Sequence, residues 1–336
     1  QKMSAYLEQR KEQAGAKVIL FAYEASSLGF ALYDRMTAAG MVSANPAGFD
    51  VLAPTKMERS QKRRKDKTDA KDARDQLNAL RAYVLAGADL PEAWVPDPQT
   101  RADRSLLRLR LKVAEHGAAL KTQVHSLLKL HGLKKPVTVK ENWTAAHFGW
   151  LEELVEDADS PLAFSERAVL ESLMRQLRAN EEELDRLQGR VATLAAQPRY
   201  AEPVRELCSQ VGIGVLTALV FLVELGDLSR FRNRRQVGAY LGLVPATSES
   251  GQQTDRKGHL TRQGPARVRK VLNQAVWVRR VHEPKTKAFF DDLEQRAPKR
   301  KKIHAVAHMR KLGILLWHRG LEAQQRAECF ATQLTP

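Results

Sequence analysis

The leucine-rich stretch at residues 170–194 constrains the fold of this chain more than any other part of its sequence. Its apolar positions repeat in steps of three and four, the spacing of a helix with one buried face. They are Leu170, Leu173, Leu177, Leu184, Leu187, Val191 and Leu194, with Asn180 in the same series. A single asparagine at a core position fixes the register of paired helices at some cost in stability. We therefore predict a coiled coil over residues 161–200, paired within the chain or between protomers. An amphipathic helix packed on its own domain is the alternative.

The sequence before this helix alternates between strand and helix patterns. Residues 17–23, KVILFAY, are a short apolar run typical of a buried strand, and residues 27–40 have a helical pattern that ends at glycine. A second extended segment reaches residue 52, and this order of elements is typical of an α/β domain. We predict an α/β domain over residues 1–160 and a mostly helical domain over residues 201–336.

A second long helix is predicted over residues 101–130, in the α/β domain or bridging to the next. Its apolar positions are also spaced by three and four residues. They are Leu106, Leu109, Val113, Leu120, Val124 and Leu127.

The charge of the chain indicates its class of partner. Lys and Arg total 55 against 39 Asp and Glu, a formal net charge of +16, which is typical of proteins that bind polyanions. The longest apolar run, residues 211–223, is interrupted by glycines and is shorter than the roughly 20 residues of a membrane span. The two cysteines are too few for a disulfide framework. We therefore expect a cytoplasmic protein that binds nucleic acid and no membrane.

Three acidic residues form a candidate metal site. Asp69 and Asp72 lie three residues apart at the start of a predicted helix, so both carboxylates project from one face. Glu24 stands where the first strand ends, the position at which α/β folds gather functional groups. Three acids in a basic chain indicate a metal-dependent nuclease or phosphoryl-transfer site. The alternative is structural: Thr68 caps the helix, and the two aspartates favour its dipole.

A candidate nucleophile lies in the segment 242–272. Ser248 and Ser250 occur in a polar loop that a basic segment follows. A hydroxyl beside several cations can attack a phosphodiester, because the cations stabilise the charge that develops. The basic residues predicted to contact nucleic acid here are Arg256, Lys257, Arg262, Arg267 and Arg269. An inert loop followed by a helix that grips phosphates is the alternative.

Three other segments are predicted to face nucleic acid. One is the basic run KRKK at residues 299–302, and another is the basic block at residues 56–67, the first part of a mixed-charge stretch. The latter contains Lys62, Arg63, Arg64, Lys65 and Lys67. In the third, VGIGVL, Gly212 and Gly214 resemble the turn of a helix-hairpin-helix element, whose free N–H groups suit a phosphate. Solvated charge and a tight turn without a ligand are the alternatives.

Several segments resemble one family when they are taken in order. The chain contains YEASSLGFALYDRM, then KTDAKDARDQLNAL, PEAWVPD, NWTAAHFGWL, and the stretch from VGIGVL to RKGHLTRQGPARVRKVL. Together they resemble the DEDD transposases of bacterial insertion sequences, the insertion-sequence one-ten family, also described as bridge-RNA-guided recombinases. The resemblance extends from about residue 18 to residue 280.

The resemblance implies both an architecture and a reaction. The architecture is a RuvC-like domain with an RNase H-like sheet, a coiled coil, and a helical transposase domain with a helix-hairpin-helix-like element. In the implied reaction Glu24, Asp69 and Asp72 hold Mg²⁺ or Mn²⁺, and Ser250 attacks DNA to form a phosphoserine intermediate; Ser248 is the second choice. The implied partners are DNA, a structured guide (bridge) RNA, and further copies of the chain in a dimer or tetramer.

The N-terminal segment departs from the family pattern. The first aspartate of the family precedes its glutamate, whereas no Asp occurs before Asp34 in this sequence. We therefore expect the RuvC-like domain to lack its first strands. A strand that ends in Asp, if encoded upstream of Gln1, would complete the metal site. Two other hypotheses stay open: a metal-dependent nuclease of resolvase type that does not use the serine, and a catalytically dead protein that binds nucleic acid.

Overall fold

The chain divides into two compact units, Gln1–Asp97 and Pro98–Pro336. A computed structural model describes residues 2–16, 19–23, 30–38, 49–51, 68–89, 93–247 and 257–333. The boundary between these two compact units differs from the domain boundaries predicted at residues 160 and 200. Those boundaries stay predictions.

The first unit contains the strand–helix–strand order that the sequence predicts. Its elements are α1 (Lys2–Gln13), β1 (Ile19–Phe21), α2 (Ala31–Ala38), β2 (Phe49–Val51) and α3 (Asp69–Ala86). The two strands pair in parallel, with Ile19 opposite Phe49, and α2 lies between them in the chain because parallel strands need a crossover. Met36 of α2 is buried against an apolar group that includes Phe21. The described part thus has α/β character, and the RuvC-like topology stays a prediction.

The second unit is mostly helical. Its helices are α4 (Pro98–Leu130), α5 (Ala145–Glu156), α6 (Phe164–Ala195), α7 (Pro198–Cys208), α8 (Val215–Leu225), α9 (Arg234–Tyr240), α10 (Ala266–His282), α11 (Pro284–Arg296) and α12 (Lys301–Gln333), with a 3₁₀ turn at Pro298–Arg300. Between α9 and α10 the strands β3 (Pro245–Thr247) and β4 (Lys257–Leu260) form an antiparallel hairpin. No helix in the described part of the chain is long and apolar enough to cross a membrane.

Helices α4 and α6 pack antiparallel within the chain. His131, after the end of α4, contacts Glu166 near the start of α6 at 2.7 Å. Farther along the pair, a Cβ added at Gly117 would lie 2.5 Å from the Asn180 side-chain nitrogen. The asparagine in the predicted series therefore fits against a glycine of the same chain. The pairing is intramolecular, and the leucines of α6 are mostly buried as predicted; the coiled coil stays a prediction.

Two apolar clusters lie along this helix pair. The smaller one joins α5 to the C-terminal half of α4 and the N-terminal half of α6, with Leu151, Leu170 and Leu177 fully buried. The larger one surrounds α8, in which every residue from Ala218 to Leu225 is buried. A helix that is apolar on all sides is expected to be covered on all sides, and α8 forms the centre of this unit.

The buried face of α4 differs from the predicted one. Leu107 and Leu111 are buried, whereas Leu109 is 50% exposed, so the prediction for Leu109 is wrong. The remaining predicted positions are buried at Leu120 and Val124 and partly buried at Leu106, Val113 and Leu127. Apolar residues occupy two faces of α4 near residue 109, and packing against distant segments decides which face is buried.

Replacing the two nearby leucines of α4 tests this assignment. Leu107→Ala is expected to lower the free energy of unfolding by about 2–5 kcal/mol, because it removes packed methyl groups and leaves a cavity. Leu109→Ala, the matched control two residues away, is expected to change it by less than about 0.5 kcal/mol. Urea unfolding followed by circular dichroism measures both, and equal losses would contradict the assignment.

Candidate functional site

Helix α8 ends inside the core, where side chains from other segments satisfy its last carbonyl groups. Arg104 of α4 donates to the carbonyl oxygens of Val223 and Glu224, each at 2.9 Å. Arg230 donates to the carbonyl oxygen of Leu225, and the fourth carbonyl accepts from the backbone N–H that follows the helix. A buried carbonyl without a partner would cost about 1–3 kcal/mol. These bonds therefore allow α8 to end away from water.

The Glu224 carboxylate extends this network. Its residue is 6% exposed, and Arg108 of α4 donates to both carboxylate oxygens at 2.8 Å. The hydrogen bond to Glu224 raises the pKa of the Arg108 guanidinium. At the end of α9, Tyr240 donates from its hydroxyl to the Glu224 carbonyl at 3.1 Å, and its ring lies 4.5 Å from the Arg230 guanidinium carbon. The network joins α4, α8 and α9.

Sequence reasoning missed these polar residues, although a signal was present. Glu224 is a single carboxylate in the otherwise apolar helix VLTALVFLVEL. A buried charge needs a partner of opposite charge or several hydrogen bonds, so this position alone predicts a cation nearby. The partners, Arg104 and Arg108, lie more than a hundred residues earlier in the chain, and local patterns cannot identify them.

The β3–β4 hairpin starts from a turn in which two backbone segments touch. A Cβ at Gly264 would lie 1.8 Å from the Tyr240 oxygen, and one at Gly242 would lie 2.2 Å from the Gln263 oxygen. Both glycines have positive φ, 98° and 65°, so a side chain is excluded on conformational grounds as well. Arg269 of α10 donates to one carbonyl oxygen on each segment at 3.1 Å. The base of the hairpin is thereby fixed.

The hairpin brackets the predicted serine loop. Thr247 pairs with Lys257 and Pro245 with Leu260. Thr247 and Lys257 are the residues that flank the segment 248–256 in the chain. The structure therefore brings together the two ends of the segment that contains the predicted nucleophile.

The predicted basic contacts of this region fall into two groups. Arg262 and Arg267 are exposed, and Arg262 has a positive φ of 50° in the turn before α10. Arg269 is partly buried; burial, and then Arg262 nearby, lowers the pKa of its guanidinium. Arg269 thus holds the turn together, whereas the other two guanidinium groups face solvent. Residues 299–302 are exposed as well.

The two glycines of the VGIGVL turn have different surroundings. Gly212 has a φ of 79°, and a Cβ there would lie 2.8 Å from the Ala275 oxygen of α10. Arg279 of α10 also donates to the Val211 carbonyl at 3.0 Å. Close packing against α10 therefore accounts for Gly212. Gly214 is the N-cap of α8, and nothing among the described residues lies within 4 Å of a Cβ built there, so these residues leave space at the start of α8.

Asp69 and Asp72 lie in the first turn of α3, as predicted. Thr68 is the N-cap, and its hydroxyl accepts from the Lys71 N–H at 3.4 Å. Both carboxylates favour the positive end of the helix dipole, so the structural explanation applies to them. Among the described residues, no group of three His, Cys, Asp or Glu side chains is placed to hold a metal ion.

Several predicted site residues lie outside the described residues. They are Glu24, Ser248, Ser250, Lys62, Arg63, Arg64, Lys65, Lys67 and Arg256. The side chain of Lys257 lies outside them too, although its backbone forms part of β4. The three-acid metal site and the serine nucleophile therefore stay predictions.

Comparison with known proteins finds similarity to one family of transposases. A family model described as the transposase IS116/IS110/IS902 family matches residues 204–291, from α7 into α11, and so includes the Glu224 carboxylate and the hairpin. A "Probable family 20 transposase" of Pseudomonas aeruginosa is 30% identical over 231 residues, which are 66% of this chain and 64% of the relative. The chain thus matches this transposase family in residues 204–291, and relatives named as transposases match it over most of its length.

Other relatives of this transposase family match different lengths of the chain. The "Putative transposase y4qE" of Sinorhizobium fredii is 29% identical over 78% of the chain and 59% of its own length. The "Transposase for insertion sequence element IS1111A" of Coxiella burnetii is 25% identical over 50% of the chain and 44% of its own length. The chain thus spans less than two thirds of the length of the first two relatives that it matches. The family predicted from the sequence is confirmed.

The buried carboxylate can be tested against an exposed one. Glu224→Gln is expected to lower the free energy of unfolding by about 1–3 kcal/mol, because it removes the charged partner of Arg108 inside the core. Glu115→Gln is the matched control: its carboxylate contacts Lys270 at 2.7 Å on the surface, and such pairs contribute about 0–1 kcal/mol. Thermal and urea unfolding measure both variants. A larger loss for Glu115→Gln would refute the role given to Glu224.

Proposed function

We propose that this chain is the transposase of an insertion sequence, an RNA-guided recombinase that cuts and rejoins DNA strands through a covalent phosphoserine intermediate. Its membership of the transposase family supports DNA as the substrate. The observation that carries the proposal is the fixed base of the β3–β4 hairpin, whose strands bracket the segment with Ser248 and Ser250. A nucleophile needs a scaffold that holds its position relative to the substrate.

The proposed reaction conserves the number of phosphodiester bonds. The Ser250 hydroxyl oxygen forms a bond to a DNA phosphorus as the bond from that phosphorus to a deoxyribose oxygen breaks. The serine proton is lost, and the released deoxyribose hydroxyl gains a proton. After the strands exchange, a deoxyribose hydroxyl attacks the phosphoserine, and the serine hydroxyl is restored. Arg262 and Arg267, exposed beside the hairpin, would stabilise charge on the phosphate.

The proposed metal site uses Asp69 and Asp72 together with Glu24. The two aspartates are suitable ligands for a divalent cation, since Mg²⁺ and Mn²⁺ prefer carboxylate oxygens. Both lie in the first turn of α3. When bound, such a cation would supply Lewis-acid polarisation of the phosphate. The carboxylates would hold it at the first turn of α3.

The proposed partners besides DNA are a structured guide RNA and further copies of the chain, in a dimer or tetramer. The basic run at residues 299–302 is exposed at the start of α12 and suits a phosphate backbone. Helix α3 has no buried residue, and its Leu85 is 83% exposed. An exposed apolar side chain of this size is compatible with contact to another chain.

The serine mechanism predicts a covalent adduct. Incubated with labelled DNA that carries its cleavage site, with guide RNA and Mg²⁺, the protein is expected to become attached to the label in a denaturing gel. Ser250→Ala is expected to abolish the adduct, while Ser248→Ala, the matched control in the same segment, retains it. Metal-dependent cleavage that survives Ser250→Ala would indicate a resolvase-type nuclease instead. Binding without cleavage would indicate a catalytically dead protein.

The arginines beside the hairpin predict a change in salt dependence. Replacing Arg262 and Arg267 by Ala is expected to flatten the slope of log affinity against log salt by about 1.8 for duplex DNA, because two phosphate contacts are lost. The control replaces Arg175 and Arg178, which lie in a groove lined by several glutamates and are expected to leave the slope unchanged. Fluorescence anisotropy at several salt concentrations gives both slopes, and equal slopes for the two variants would exclude this surface.

A further inference from the structure

A basic pocket lies where α4 ends and α5 begins, in the segment that contains NWTAAHFGWL. Its volume is about 440 Å³, within the range of small-molecule sites. The side chains that bear on its chemistry are His125, Lys129, Lys134, Lys135, His147 and Trp150. No carboxylate is among the described residues that line it. The pocket therefore suits an anion.

The pocket also has an apolar and aromatic wall. Leu128, Leu133 and Trp150 line it, and the rings of Trp150 and His147 are 5.6 Å apart between centroids. A bare phosphate ion would leave this wall without a partner. A planar ring that carries a negative charge would contact both the aromatic side chains and the lysines.

The imidazole of His147 supplies a hydrogen-bonding group that can recognise such a ring. The residue is 1% exposed, and its Nδ1 atom has no hydrogen-bond partner among the described residues. Burial, with smaller contributions from His125 and Lys135, lowers the pKa of its imidazole. Each nitrogen of a neutral imidazole donates or accepts one hydrogen bond according to the tautomer, so Nδ1 can pair with one polar atom of a nucleobase.

The backbone around His147 is held in a specific shape. Trp143 is a non-glycine residue with a φ of 68°, a conformation that costs about 1–3 kcal/mol and that is found at ligand-binding sites. Its ring packs against His147 and His125, with centroid distances of 5.1 and 5.0 Å. This contact holds the two histidines in place.

The C-terminal end of α4 repels a nearby anion less than an uncapped helix C-terminus would. Free carbonyls at a helix C-terminus carry partial negative charge. Here the Leu128 carbonyl accepts from the Leu133 N–H at 2.9 Å, and the Lys129 carbonyl accepts from the Gly132 N–H at 3.1 Å. These bonds occupy two of the carbonyls that border the pocket.

We propose that this pocket binds one unstacked nucleotide of a single-stranded nucleic acid, with its base against Trp150 and His147 and its phosphate on Lys129 and Lys134. The inference rests on the nucleic-acid binding of the proposed function and not on its serine chemistry. Aromatic stacking with adjacent cations is the common way to hold a single-stranded base. RNA and DNA strands share this chemistry.

The test uses the full chain and tetranucleotides that contain 2-aminopurine, as DNA and as RNA. Stacking of the base on an aromatic side chain is expected to quench its fluorescence, and titration gives the affinity. Trp150→Leu, which keeps an apolar side chain at the position, is expected to weaken binding roughly tenfold and to reduce the quenching. 5′-AMP is expected to compete better than inorganic phosphate.

A charge variant provides a second measurement, in case Trp150→Leu does not fold. Lys129→Ala with Lys134→Ala is expected to reduce the slope of log affinity against log salt by about 1.4 for the single strand. Lys285→Ala with Lys287→Ala removes the same charge from exposed positions of α11 and is expected to leave the quenching unchanged. Circular dichroism checks that each variant is folded.

The outcomes separate this inference from the proposed function. Unchanged affinity in a folded Trp150→Leu protein or in the pocket lysine variant, with adduct formation intact, overturns the pocket and leaves the transposase reaction standing. Equal competition by inorganic phosphate and 5′-AMP overturns recognition of the base. Pocket-dependent binding of the tetranucleotide without any Ser250-dependent adduct supports the pocket and refutes the serine mechanism.

Discussion

The C-terminal end of α8 sets the constraint on which the second unit depends. A fully apolar helix at the centre of a core must satisfy its last four carbonyls without water. Arg104 and Arg230 supply donors for three of them, and the charged groups also favour the negative end of the helix dipole. Because Arg104 belongs to α4, the position of α8 along its axis is tied to the long α4–α6 pair. Directional hydrogen bonds specify the position of the end of α8 in addition to the non-directional packing of its apolar side chains.

The same interaction reaches the candidate site through Tyr240. Its hydroxyl is bonded to the end of α8, and its carbonyl lies so close to Gly264 that only glycine fits there. Arg269 then joins the two backbone segments of the turn. The base of the β3–β4 hairpin is therefore positioned by hydrogen bonds that begin in the core. A loop that carries a reactive group gains from such a scaffold, because orientation of the nucleophile contributes a large part of catalysis.

The sequence predicts the elements of this fold better than their partners. The spacing of leucines in α6 identifies its buried face, and Thr68 marks the start of α3. The face of α4 is mispredicted at Leu109 because apolar residues occupy two sides of that helix, and only contact with distant segments selects one. Glu224 is missed for a related reason: its partners are far away in sequence. The serine and the three acids come from motif resemblance, which local periodicity and composition cannot replace.

The net charge of the chain indicates the class of partner, whereas the local charge indicates which part of the surface that partner contacts. Charges on the surface are screened over about 8 Å at physiological salt, so a phosphate responds to neighbouring residues and not to the total of +16. The stretches of this chain that contain no Asp or Glu include residues 116–140 and residues 257–272. The first supplies the lysines of the pocket beside α5, and the second runs from β4 into α10 beside the hairpin. In α6, by contrast, Glu182 and Glu183 pair with Arg186, which cancels much of the local positive charge. The distribution of acids along the chain therefore determines where a polyanion is expected to bind.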